Sequence, residues 1–210
     1  SIRTLELDEN AILPIISAPL HEVTEKIEAN HVFLEVVELS TGVLVAHEKG
    51  MYSFAHKTFQ EFLAAIHLLE KGLESVLVAA LLADPDNDWW HETARLYAAL
   101  GDASALVRAL IDRDPLHSTL LALAIDCDRL AKRMADNTVR PALRRLLNEV
   151  IEDHKHPAWK EVADALLRLR LADVNVIDEK TQLLRQTITH ADYQLFLDET
   201  EDSYVYMPLH

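Results

Sequence analysis

One cysteine, Cys127, stands in a chain of 210 residues. That count excludes an internal disulfide and leaves nothing for a cysteine-rich zinc site. Its apolar neighbours read it as a small buried hydrophobe. Glycine is almost as scarce, with Gly42, Gly50, Gly72 and Gly101 scattered along the chain. No Gly-x-x-x-x-Gly-Lys-Ser/Thr loop exists, so this chain cannot by itself build a Walker-type phosphate cradle. Aromatics make up 6% and hydrophobic residues 50%, the composition of a helix-rich globular protein. Basic residues are outnumbered 20 to 35, which gives a formal charge of −15. Such a surface repels phosphate backbones and counts against nucleic acid as a partner. No apolar run approaches membrane-spanning length and no signal peptide opens the chain, so a cytoplasmic protein without a membrane partner is expected. The first residue is Ser1 rather than Met, which reads as a piece of something longer.

Catalytic patterns are missing too. There is no Gly-x-Ser-x-Gly, His-Glu-x-x-His or kinase signature, and the chain is expected not to be an enzyme. Asp84-Pro-Asp-Asn-Asp88 imitates a calcium loop, but Trp89 occupies the glycine position and Arg95 the closing glutamate position. Asp88 reads instead as the N-cap of a helix over 89–100 that Gly101 ends as a C′ glycine. His154 and His156 form a His-x-His pair beside Glu152 and Asp153, read as a solvated corner rather than a metal site. Asp126 and Asp128 point in different directions on a helix and read as surface charge rather than an acid–base pair. Lys132, Arg133, Arg140, Arg144 and Arg145 are the one basic concentration. They read as a solvated helix face, with an acidic partner or an acidic face of the same chain as alternatives.

What is present centres on residues 51–69. Phe59, Phe62, Leu63, Ile66 and Leu69 follow the i, i+3, i+4, i+7 spacing of one apolar helical stripe. Thr58 and Glu61 stand three apart, as a capping box requires, which predicts a helix start near Thr58. His56 then sits at a strand-to-helix turn with unpaired N–H groups and the positive end of a helix dipole. An imidazole there can hold an anion such as a phosphate, or merely satisfy the backbone of the corner.

The run Tyr52-Ser-Phe-Ala-His-Lys-Thr-Phe-Gln-Glu-Phe-Leu-Ala-Ala65 closely resembles the last strand and following helix of the winged-helix domain in NACHT-type signal-transduction ATPases (STAND proteins), which include NOD-like receptors and bacterial counterparts. The resemblance implies a regulatory module of a nucleotide switch. It implies that His56 contacts the phosphates of ADP and helps hold the closed, inactive state. ADP or ATP would then be held by an upstream nucleotide-binding domain of the same chain, with none bound to this fragment alone.

The rest divides into three expected regions: a winged-helix domain over 1–71, an α-helical superhelical region over 72–173, and a linker with a further domain's start over 174–210. In the first, 6–16 reads as helix, Ala18-Pro19 breaks it, and 19–29 reads as a second helix. Residues 31–40 are helix or strand by periodicity; the resemblance favours helix. Residues 41–47 and 51–55 form a β-hairpin, the wing, joined by Glu48-Lys-Gly50. Then come helices over 73–83, 89–100, 103–111, 115–130, 139–151 and 157–171, whose short junctions imply antiparallel pairs stacked like HEAT or TPR layers. The fold class is therefore mainly α: a winged helix with a small hairpin, then a helical stack.

Residues 173–185 lose the helical period. Gln186-Thr-Ile-Thr-His-Ala-Asp-Tyr-Gln-Leu-Phe-Leu197 reads as a strand entering a helix capped by Thr189, with Asp192 three residues on. This run resembles the opening of formylglycine-generating-enzyme-like (sulfatase-modifying factor) domains, with His190 in place of the usual asparagine. Tyr204-Val-Tyr-Met-Pro-Leu-His210 fits the segment that follows there. The function expected is a regulatory and linker segment coupling nucleotide state to ligand sensing and oligomerisation, its partners being the upstream domain, other proteins or itself. The alternatives are a free-standing helical-repeat adaptor and, against the acidity, a winged-helix transcription regulator.

Overall fold

The computed structural model describes residues 6–23 and 29–200. Two compact units divide the chain, Ser1–Ala64 and Ala65–His210.

The first unit contains β1 (Glu6–Asp8), α1 (Glu9–Val23), α2 (Ala29–Thr41), β2 (Leu44–His47) and β3 (Met51–Phe54), and it includes the opening turns of α3 (Lys57–Glu70). β2 and β3 pair antiparallel, with Val45 opposite Ser53, and form the expected wing. Gly50 closes their turn at φ 71°, where a β-carbon is strained. The wing is not a two-stranded ribbon, however. β1 pairs with the other edge of β3, Leu7 opposite Tyr52, so the order is β1-β3-β2. The first residues of the helix expected over 6–16 are thus strand, because a third strand gives the sheet backbone partners that local propensity does not register.

The break expected at Ala18-Pro19 does not occur either. α1 runs through both Pro14 and Pro19. Each proline deprives the carbonyl four residues earlier of its helical donor. Those carbonyls belong to Asn10 and Ile15, both exposed, so water can replace the lost bond. The second helix expected over 19–29 falls partly on residues 24–28, outside the described ones. α2 settles the ambiguity over 31–40 as helix. Among the described side chains of this unit only Leu34 and Glu61 are fully buried.

The second unit begins within α3. It continues as α4 (Glu74–Ala83), α5 (His91–Leu100), α6 (Ser104–Ile111), α7 (Ser118–Leu130), α8 (Val139–Glu152), α9 (Trp159–Ala172), β4 (Val174–Val176), β5 (Gln182–Leu184) and α10 (His190–Thr200). α4 packs on α6, α5 on α7, α6 on α8 and α7 on α9. Contact with the helix two places on is the pattern of a two-layer stack. Leu120, Leu121, Leu123, Ala124 and Cys127 bury α7 at its centre, against Leu106 and Leu110 of α6 and Val162 of α9. The mainly α class, a winged helix followed by stacked helices, is what the sequence implied.

Three local expectations change. Asn87, not Asp88, supplies a cap: its Oδ1 accepts the Trp89 N–H at 3.1 Å and opens a 3-10 turn that feeds α5. Gly101 ends α5 at φ −122°, outside the left-handed region. What it provides is space, since a β-carbon there would overlap the Leu69 side chain. Residues 186–188 form no strand; the strands lie upstream, where β4 and β5 pair as a hairpin.

Candidate functional site

The corner between β3 and α3 is built by two backbone contacts. Ala55 donates its N–H to the Val43 carbonyl at 2.8 Å, which carries the wing pairing one step past β3. Phe59 then donates to the His56 carbonyl at 3.0 Å and closes the first helical turn. α3 starts at Lys57, one residue earlier than expected, so Thr58 lies inside that turn instead of capping it. The carboxylate of Glu61, expected to complete the box, instead sits 3.0 Å from the Lys57 ammonium and is buried. With Lys57 and Glu61 four apart, the ion pair replaces the box.

His56 is exposed at the head of this helix, its ring 5.9 Å from the ring of Phe59. The N–H groups of the first turn have no acceptor within a helix, and the dipole makes that end partly positive. An exposed imidazole and helix-end amides therefore share one solvent-facing corner, which is the chemistry of an anion contact, while the Lys57 ammonium is taken up by Glu61. Phe59, Phe62 and Leu63 of the apolar stripe stay 39%, 39% and 44% exposed. Ile66 and Leu69 of the stripe are half-buried, and the buried positions of α3 are Glu61, Ala65 and Leu68, which share a different helical face, so the stripe is not the face that α3 buries.

The other candidates resolve into contacts within the chain. His154 Nε2 lies 2.9 Å from Asp198 Oδ2, and His156 Nδ1 accepts the Ala158 N–H at 3.1 Å. No group of three or more metal-binding side chains occurs among the described residues. Asp126 meets Arg95 at 3.1 Å and Asp128 meets Arg140 at 2.7 Å, so both carboxylates tie helices together. Arg133 approaches Asp102 at 3.8 Å, while Arg144 and Arg145 are exposed. Part of the basic concentration therefore answers acidic residues of the same chain. Burial pushes the Cys127 thiol up to about 12, and its Sγ–H faces the Ala94 carbonyl at 3.7 Å. That is an inert core thiol.

Sequence reasoning missed a buried ion pair. Arg170 on α9 binds Asp192 on α10 beside a cavity of about 510 Å³ lined by His154, Trp159 and Leu166. Asp192 also accepts the Thr189 N–H at 2.7 Å, while Thr189 Oγ1 accepts the Asp192 N–H at 3.3 Å. The capping box was legible from Thr189 and Asp192; the arginine twenty-two positions earlier was not.

A three-stranded wing, helices packed on it and a histidine at the strand–helix corner define a winged-helix unit. Residues 8–68 match the family described as the winged helix-turn-helix domain C-terminal to NACHT. No curated protein and no solved structure matches the chain. No helix among the described residues is long and apolar enough to cross a membrane.

Proposed function

We propose that this chain is the regulatory and linker segment of a NACHT-like, nucleotide-dependent signalling switch. The observation that carries the reading is the winged-helix match over residues 8–68 joined to an exposed His56 at the head of α3. An upstream nucleotide-binding domain of the same protein holds ADP or ATP. The winged helix leans on that domain while ADP is bound, and His56 contributes its imidazole to the phosphates. A unit with Phe59, Phe62 and Leu63 exposed gains stability from such a neighbour. The helical stack relays ligand sensing at the C-terminal side, where residues 186–197 resemble the opening of a formylglycine-generating-enzyme-like domain. Sensing shifts the population toward an open state that engages protein partners or further copies. The work is conformational, and no catalytic step is assigned to these residues.

The test is His56→Leu in the full-length protein. Loss of a hydrogen bond to a charged phosphate is expected to speed ADP release about tenfold and to raise basal signalling. Unchanged ADP retention with unchanged basal signalling removes the role given to His56.

A further inference from the structure

The winged-helix unit carries an open apolar groove of about 380 Å³ between α1, α2, the sheet and the first turns of α3. Leu34 forms its floor at 1% exposure, while Ile15, Phe33 and Leu63 stand at its lip, 68%, 39% and 44% exposed. Apolar lips around an apolar floor favour burial by something else. On α2, Glu35 and Glu38 directly follow the groove-lining Leu34 and Val37 and are exposed and half-exposed, and Tyr52 lines the groove from β3. Partial burial, then the carboxylates of Glu9, Glu38 and Glu35, push its phenol above the ordinary range. Glu35 and Glu38 have no ion pair among the described residues. Two carboxylates thus stand beside the groove on α2, open to a cationic partner.

We propose that this groove docks a basic amphipathic helix of a partner protein. Anchors at i, i+3 or i+4, and i+7 would place about three aliphatic or aromatic side chains in the groove, the usual helix-in-groove mode. Lysines or arginines flanking those anchors would face Glu35 and Glu38. Charge separates this occupant from the others. An acidic face of a second copy and an anionic lipid headgroup are both repelled by the carboxylates beside the groove. The inference rests on the groove and its carboxylates and not on the nucleotide reading.

The probe is a fluorescein-labelled helical peptide of leucine and lysine in amphipathic order, with a leucine–glutamate peptide of the same pattern as control. Binding to the 210-residue chain is read by anisotropy. The basic peptide is expected to bind and the acidic one not. Ile15→Asp, at an exposed lip, and the double variant Glu35→Lys/Glu38→Lys are each expected to weaken binding at least about tenfold. The double variant Glu149→Lys/Glu179→Lys changes net charge equally at exposed positions of the helical unit and is expected to leave affinity within about twofold. Equal binding by all variants, or equal losses in both charge-reversed pairs, would reduce the effect to bulk attraction and overturn the proposal. So would an absence of binding. Self-association or vesicle binding that Ile15→Asp abolishes, without peptide binding, would assign the groove to a second copy or to lipid and overturn it likewise.

Discussion

Glu161 on α9 accepts the backbone N–H of Ser118 at 2.7 Å, so a carboxylate 43 positions downstream caps the first turn of α7. Glu74 does the same for α6, accepting the Leu106 N–H at 3.0 Å. Both place negative charge against the positive end of a helix dipole and satisfy an orphan donor. Part of the acidity of this chain is thus structural. Glu161→Ala is expected to cost about 1–2 kcal/mol in urea unfolding, and Glu161→Gln, which keeps an acceptor, less than half of that. Equal losses in the two variants would deny the cap.

The Arg170–Asp192 pair binds α10 to α9, with side chains 13% and 4% exposed. Asp192→Asn strands a buried guanidinium and weakens the capping box, so a loss of about 3 kcal/mol is expected. Amides of α10 should exchange with solvent faster than those of α7 in that variant. The paired replacement Arg170→Met/Asp192→Leu should recover much of the loss, because it removes both charges together. A double variant as unstable as the single one would contradict this.

His91 gives the helical unit an acid-sensitive point. Burial, followed by the Arg95 guanidinium, lowers its pKa below the ordinary 6.5, against opposition from Asp88, the Pro85 backbone and Asp86. The unfolded chain therefore takes up a proton at higher pH than the folded one does. The stability held by neutral His91 is complete above pH 6.5 and falls away as the pH drops below it. Melting temperatures across about pH 7.5 to 5 should decline less steeply in His91→Gln than in the parent. Parallel curves would exclude His91 as the source.

Local patterns made much of this fold legible. The wing showed itself through β-branched and aromatic runs around Gly50, α3 through its apolar spacing, and α10 through Thr189 and Asp192. His56 could be placed at a strand–helix corner because both flanking elements had strong periods of their own. What stayed hidden was non-local. Glu6–Asp8 is a strand only because Met51–Ser53 lies opposite, some 45 positions away. The carboxylates of Glu74 and Glu161 look like any others on helices until the distant N–H groups arrive. Gly101 carries the sequence signature of a left-handed cap, yet it lies outside that region and leaves room for the Leu69 side chain instead. The β4–β5 hairpin did leave a trace in Val174-Asn-Val176, but its three-residue strands were too short for a period to emerge.

Asp102 sits where α5 hands over to α6. Its Oδ1 accepts the Ser104 N–H and hydroxyl at 3.0 and 2.6 Å and the Ala135 N–H at 3.2 Å. Burial raises the carboxyl, but these donors and Arg133 outweigh it and hold the group ionised to lower pH than usual. Ser104 Oγ in turn accepts the Asp136 N–H at 2.9 Å. The connection from α7 to α8 is thereby stitched to the start of α6. A stretch that would ordinarily absorb extra length becomes one where an inserted residue would have to break these bonds.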